Sequence, residues 1–267
     1  MLLVTVPHSG EAIPPEATWL QGLDPLTLLT DVDRFVHELY RPAVKALKCE
    51  FVMADFHRYA VDLNRMPADI DSTQVEGAPA PGSGPAKFTS GFHWVRTTKG
   101  MPLLPKPMDR ATHDALVRGY YEPFHALVRD AETRLITAHG LPRYHIDAHS
   151  MPAVGSVGAH KDAGQRRPDI VVSDCEGKSC APGFKDLVIA AYEAEGFTVA
   201  YNWPYKGGRM TEQYGRPAVN RHSIQVELNR ARYMDEGTRE KHSGFLACEA
   251  RIRGALARIT NEIIAQG

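Results

Sequence analysis

Long apolar runs are missing from this chain. No stretch approaches the roughly 18 apolar residues that a membrane span needs. The run at the N-terminus, Leu2-Leu3-Val4-Thr5-Val6, stops at Pro7 with no basic segment before it, so it reads as neither a signal peptide nor an anchor. Cysteine is scarce, with only Cys49, Cys175, Cys180 and Cys248 and no C-x-x-C pair. That argues against a secreted disulfide scaffold and for reduced thiols in a cytoplasm. An excess of either charge is also lacking: 31 Lys and Arg stand against 32 Asp and Glu. Neither nucleic acid nor an acidic membrane surface is therefore an expected partner, and local basic clusters need local explanations. There is no internal repeat. What is present, 43% hydrophobic and 24% charged residues over 267 positions, suits an ordinary globular protein with a sizeable core. The chain reads as one domain, 1–267.

Short apolar runs recur instead. Leu2–Val6, Phe51–Ala54, Tyr144–Ala148, Ile170–Ser173, Phe197–Tyr201 and Ser223–Leu228 have the length and β-branched content of strands. Between them, helical spacing of apolar residues predicts helices over Pro25–Leu47, Asp109–His139 with a kink or break at Pro123, Pro182–Glu195 and Ser243–Ile264. Strands alternating with helices of this length imply an α/β fold, with a central, mostly parallel sheet covered by helices on both faces. From Pro67 to Pro107 the composition shifts to Pro, Gly, Ser and Thr, which predicts a flexible flap over 67–107, with Phe92, His93 and Trp94 as candidate wall residues.

In sheets of this kind ligands bind outside the carboxyl ends of the strands. His8, Asp55, His149, Asp174 and Asn202 each follow an apolar run, so the expectation is that five strands present them at one edge. A catalytic zinc takes three protein ligands plus water. His8 and Glu11, separated by Ser9 and Gly10, supply two such ligands. His149 is the best third, with His145 on the same strand face as the competing choice. Asp147 shares that face and could orient a ligand imidazole, or be a buried structural carboxylate. Glu227 lies on the polar face of its strand with Gln225 and Asn229; it suits a general base beside the metal, or else an ion pair with Arg230 or Arg232. Asp31 and Asp33 lie on the first predicted helix, where Asp31 faces either solvent or the site. Arg58, Asn64 and Arg65 suggest a small anionic substrate, because arginine forks bind carboxylates and stabilise oxyanions. Tyr205, Lys206 and Arg209, on a double-glycine loop, could close over that substrate or form an ordinary flexible turn.

Read together, several blocks resemble the N-formylglutamate amidohydrolase (deformylase) family: Val6-Pro7-His8-Ser9-Gly10-Glu11, Asp62-Leu63-Asn64-Arg65, Ile146-Asp147-Ala148-His149-Ser150-Met151-Pro152, Val171-Val172-Ser173-Asp174, Asn202-Trp203-Pro204-Tyr205-Lys206-Gly207-Gly208 and Gln225-Val226-Glu227-Leu228-Asn229-Arg230. Their order also looks like that of zinc carboxypeptidases and aspartoacylases, whose fold is a mixed sheet sandwiched by helices. The resemblance implies one Zn2+, or another divalent metal, on His8, Glu11 and His149. It further implies carboxylate binding by Asn64 and Arg65, oxyanion support from Arg58, and Glu227 as base.

The expected reaction is hydrolysis of N-formyl-L-glutamate to glutamate and formate, with zinc-activated water attacking the formyl carbon. The alternatives are a deacylase or carboxypeptidase acting on another N-acyl amino acid or a short peptide, and a metal-free binding protein for an acidic amino acid built on Arg58 and Arg65.

Overall fold

A computed structural model describes residues 2–83, 91–156 and 162–266. Six strands form one mixed sheet: β1 (Leu2–Val6), β2 (Glu50–Met53), β3 (Arg143–Met151), β4 (Ile170–Ser173), β5 (Val199–Tyr201) and β6 (Arg221–Asn229), in the order β2-β1-β3-β6-β4-β5. Strands β2, β1, β3 and β6 run parallel, whereas β4 is antiparallel to β6 and carries β5 with it. This is the expected α/β class. The reversal nevertheless has a consequence for the site: the carboxyl ends of β4 and β5 point away from those of the other four strands. Asp174 and Asn202 therefore do not join His8 at one edge. Asp174 is buried and accepts hydrogen bonds from the Tyr201 hydroxyl and the Asn202 amide, a structural knot at the opposite end.

The two faces of the sheet differ in kind because side chains alternate along each strand. One face is apolar. Leu2, Val4 and Val6, Ile146 and Ala148, Ile170 and Val172, and Ile224, Val226 and Leu228 all enter one core cluster. Three helices cover it: α2 (Val36–Leu47), α5 (Pro182–Ala194) and α7 (Phe245–Gln266). Each supplies buried residues at helical spacing, such as Val36, Leu39, Tyr40 and Ala43 on α2 or Ile252, Leu256, Ile259 and Ile263 on α7. The opposite face carries Thr5, His145, Asp147, His149, Ser223, Gln225 and Glu227 at its centre, all buried. It is covered by α4 (Glu122–His139), by α6 (Arg209–Tyr214) and by long connections around a second core cluster that includes Tyr59, Leu63, Val75, Phe92 and Trp94. No helix among the described residues is long and apolar enough to cross a membrane.

Two departures from the expected elements matter for the site. The helix expected over 25–47 is broken: Pro25–Leu28 forms a single turn (α1), capped by Asp24, and α2 begins only at Val36. The connection between them holds Asp31 and Asp33, and Phe35 takes a left-handed φ of 67° to turn into α2. Strand β3 in turn runs on to Met151, so His149 lies within the strand, on the polar face. In the segment expected as a flap, residues 84–90 lie outside the described residues. Farther along, Phe92, His93 and Trp94 are buried against the second cluster. The break expected near Pro123 is present as one wide π-helical turn, Val117–Tyr121, joining α3 (Arg110–Leu116) to α4.

Candidate metal centre and active site

The turn after β1 is held by its neighbours. Ala12 N donates to the Asp55 carbonyl and His57 N to the Ala12 carbonyl, both within 3.0 Å. A Cβ at Gly10 would stand 2.3 Å from the Asp55 carbonyl carbon. Gly10 is thus required for close backbone approach rather than to bring two ligands onto one ion. The backbone N–H of Asp33 donates to the His8 carbonyl at 2.9 Å, which draws the α1–α2 connection against the same turn.

Three buried groups meet there. His8 Nδ1 and His149 Nδ1 face each other at 3.1 Å, and Asp33 Oδ2 lies 3.1 Å from His149 Nδ1 and 3.6 Å from His8 Nδ1. All three ligand atoms lie within 4.8 Å of one another. The outer nitrogens are committed to carboxylates: His8 Nε2 lies 2.8 Å from Asp62 Oδ1, and His149 Nε2 lies 2.7 Å from Asp147 Oδ2. If both Nε2 atoms donate, both Nδ1 atoms are left as bare lone pairs aimed at one point beside a carboxylate oxygen. Such an arrangement is repulsive unless a cation or a proton occupies the point. Two imidazoles and a carboxylate, each imidazole backed by a second carboxylate, are a donor set that could hold a metal ion. Electrostatics agree: burial disfavours charge on His149, but Asp147 and Asp33 hold it protonated well above the usual range. The site demands positive charge at this position.

A chain of hydrogen bonds fixes Asp147 in turn. Thr5 donates to Asp147 Oδ1 at 2.6 Å, and the Thr5 oxygen lies 2.8 Å from His145 Nε2, whose Nδ1 lies 2.8 Å from the Ser223 hydroxyl. Both nitrogens of His145 are thereby used, and burial keeps it neutral, pushing it down to about 3. His145 supports the cluster and does not join it.

Glu227 sits beside His149 in the β3–β6 register, with its Oε1 accepting from the Gln225 amide at 2.8 Å. Burial pushes its carboxyl up to about 7, against the opposing charge of His149. Arg58 donates to the Asp31 carbonyl and to Asp62 Oδ2, and its guanidinium packs over Trp94 at 4.7 Å; its buried Nε has no hydrogen-bond partner among the described residues. These groups line a cavity of about 440 Å³ together with Asn64, Arg65, Arg167, Tyr205 and Arg230.

Comparison with known proteins decides what this cavity belongs to. A family model described as N-formylglutamate amidohydrolase matches residues 1–234. The N-formylglutamate deformylase of Pseudomonas aeruginosa is 31% identical over 241 residues, spanning 88% of this chain and 82% of that protein. The chain belongs to the N-formylglutamate amidohydrolase family. This makes it a hydrolase acting on an amide. The N-formylglutamate deformylase of Pseudomonas putida is similar at 29% identity over 238 residues, covering 88% and 82% of the two chains. Among solved structures, an N-formylglutamate amidohydrolase from Ralstonia eutropha superposes with a TM-score of 0.87 at 31% identity, covering all of this chain and 94% of that one.

Within this amidohydrolase the structure brings together His8, His149, Glu227, Arg58, Asn64, Arg65 and Tyr205. It places two expected site residues elsewhere. Glu11 is 42% exposed and paired with Arg34 at 2.8 Å, and the third position of the cluster is taken by Asp33. The turn after β1 is spent packing against residues 55–57, so of its residues 7–11 His8 alone lines the cavity. Arg209 does not line the cavity and lies 3.7 Å from Glu212 on its own helix. Asn64 lines the cavity while its Oδ1 accepts from Met210 N, locking α6 in place; a Cβ at Gly208 would lie 2.3 Å from its amide nitrogen. Four residues beyond the expected set complete the site: Asp33, Asp62, Arg167 and Arg230. Arg230 donates to Ser150, to the Thr30 carbonyl and to Asp33 Oδ1, which leaves Oδ2 of Asp33 for the cluster. Asp62 had a visible signal, standing at the head of the Asp62-Leu63-Asn64-Arg65 block. Asp33 had none that separates it from a helical surface residue.

Proposed function

We propose that this chain hydrolyses N-formyl-L-glutamate to L-glutamate and formate, using a divalent cation held by His8, Asp33 and His149. The observation that carries this reading is a two-histidine, one-carboxylate cluster beside a buried glutamate, in an arginine-lined cavity, on a chain of this family. When bound, a divalent ion polarises the formyl carbonyl and makes water at the site more acidic; zinc suits these donors, and other ions that accept imidazole and carboxylate fit them as well. Asp62 and Asp147 hold the two imidazoles so that both Nδ1 atoms stay turned toward the point where His8, Asp33 and His149 would hold the ion.

Glu227 takes the proton from the attacking water and returns it to the amide nitrogen as the C–N bond breaks, releasing formate and the free amine. A carboxyl raised toward neutrality by burial suits a group that must both accept and donate near pH 7. Arg58 lines the cavity, so its fixed positive charge stabilises the oxygen on which negative charge develops, and burial in the cavity strengthens that interaction. Arg65 supplies a planar fork for the α-carboxylate, with Asn64 beside it. The four cysteines are free thiols, which fits a reducing compartment such as the cytoplasm.

The test is formate release from N-formyl-L-glutamate and acetate release from N-acetyl-L-glutamate, with metal content measured on the same preparation. About one metal per chain and a strong preference for the formyl substrate are expected. A metal-loaded protein that releases no formate would overturn the reading. Equal turnover of formyl and acetyl substrates would move it to a general N-acyl amino-acid hydrolase.

A further inference from the structure

The cavity has arginines on both sides of the reacting groups. In the strand order β2-β1-β3-β6-β4, Arg58 and Arg65 follow β2, while Arg167 lies just ahead of β4, separated from it by Pro168 and Asp169. His8 follows β1, and His149 and Glu227 lie on β3 and β6, the strands between them. Neighbouring strands lie about 4.8 Å apart, so the two groups of cations flank the centre rather than share one side.

Arg167 has a particular construction. Its side chain is only 2% exposed, yet it lines the cavity. Its Nε donates to Asp162 Oδ2 at 2.7 Å and its Nη1 to the Pro152 carbonyl at 3.3 Å, and the guanidinium lies over the Tyr205 ring, 5.1 Å from the centroid. Those bonds use Nε and Nη1; Nη2 has no hydrogen bond among the described residues. A guanidinium pinned on one edge and stacked on an aromatic face loses little freedom when a carboxylate arrives at the other edge. Among the described residues, the other cations lining this side are already committed. All three nitrogens of Arg230 go to Ser150, Thr30 and Asp33, and Lys206 pairs with Glu176 on the half-exposed rim.

We propose that Arg167, positioned by Asp162 and Tyr205, binds the side-chain carboxylate of the substrate and makes the enzyme selective for N-formyl amino acids with an acidic side chain. The proposal rests on the deformylase reading above and adds the residue that reads the side chain. It separates two roles: Arg65 takes the carboxylate common to all amino acids, and Arg167 the one that distinguishes glutamate.

The test compares kcat/KM of the metal-loaded wild type on N-formyl-L-glutamate and N-formyl-L-glutamine, which differ only in that charge, and repeats the comparison on Arg167→Met with N-formyl-L-norleucine added. The wild type should favour the glutamate substrate by about 100-fold, the worth of a charge-assisted paired bond. Arg167→Met should lose that factor mainly through KM, with the norleucine substrate turned over as before and metal content unchanged. Equal loss on acidic and neutral substrates would mean a purely structural ion pair and would overturn the proposal. Should Arg167→Met fold poorly, the wild-type comparison stands alone: glutamate and glutamine substrates handled alike would overturn the proposal and leave the deformylase reading intact. A wild type that releases formate from none of them would remove both.

Discussion

Asp62 is the residue on which the most parts of the site depend, and its replacement by Asn gives the sharpest test of the architecture. The carboxylate is completely buried and accepts four hydrogen bonds. Oδ1 accepts from His8 Nε2 at 2.8 Å and Asn64 N at 2.9 Å; Oδ2 accepts from Arg58 Nη2 at 3.1 Å and Trp94 Nε1 at 2.9 Å. Burial would raise its pKa, but the charges of His8, Arg58 and Arg65 hold it well below the usual carboxylate range, so it stays ionised. Asparagine keeps the shape and supplies one acceptor and one donor. Whichever way the amide turns, its NH2 faces two donors. Two bonds are lost, one or both charge-assisted, and Arg58 loses its buried counter-charge. Roughly 1 to 3 kcal/mol for each lost bond, and more for an uncompensated charge, predicts a destabilisation of about 3–5 kcal/mol. The outer carboxylate of a ligand imidazole is also worth about 10- to 100-fold in metal affinity or activity. Denaturant unfolding, metal competition against a chromophoric chelator and formate release measure the three effects. An Asp62→Asn protein with wild-type unfolding and turnover within about threefold would refute the role assigned to this carboxylate.

Other expectations are equally direct. Asp33→Asn should lose metal affinity by two or more orders of magnitude, while Glu11→Gln, which removes only a half-exposed pair with Arg34, should bind metal and turn over as wild type; the reverse pattern would restore Glu11 to the ligand set. Glu227→Gln should keep its metal and fold and lose about 10²- to 10⁴-fold in kcat. The acid limb of the wild-type rate profile should lie between the ordinary carboxylate value and about 7, because the base must be ionised and burial raises it. The fold itself should weaken in mild acid. Burial pushes His57 and His125 down to about 4 and His93 and His145 to about 3, whereas the unfolded chain takes up those protons near 6.5. The contribution of these four histidines is therefore complete above about pH 6.5 and falls below it, by on the order of 1 kcal/mol per histidine per pH unit. Unfolding free energies that agree at pH 7.5 and 5.5 would contradict this.

Much of this protein was legible from its residues alone. Short β-branched runs and helical apolar spacing are local signals, and they located all six strands and the class of fold. Strict alternation in β6 marked Gln225 and Glu227 as a polar face before any neighbour was known, and the His8 and His149 blocks pointed to a metal. Local pattern could not determine strand direction. Whether β4 runs with β6 or against it depends on how the chain crosses between them, and that crossing removed Asp174 and Asn202 from the site. Nor could spacing choose between Glu11 and Asp33. Glu11 is three residues from His8 and looked like its partner, but the turn that holds it is used to pack against Asp55. Asp33 is 25 positions away and arrives because the expected helix breaks after Leu28, allowing its backbone to bond to His8. Residue types and local periodicity thus determined the elements and the chemistry they could carry, because both depend on neighbours in sequence. The meeting of His8, Asp33 and His149, the carboxylates behind the two imidazoles and the arginine on the far side of the cavity were decided only by tertiary packing, because each depends on contacts between segments distant in the chain.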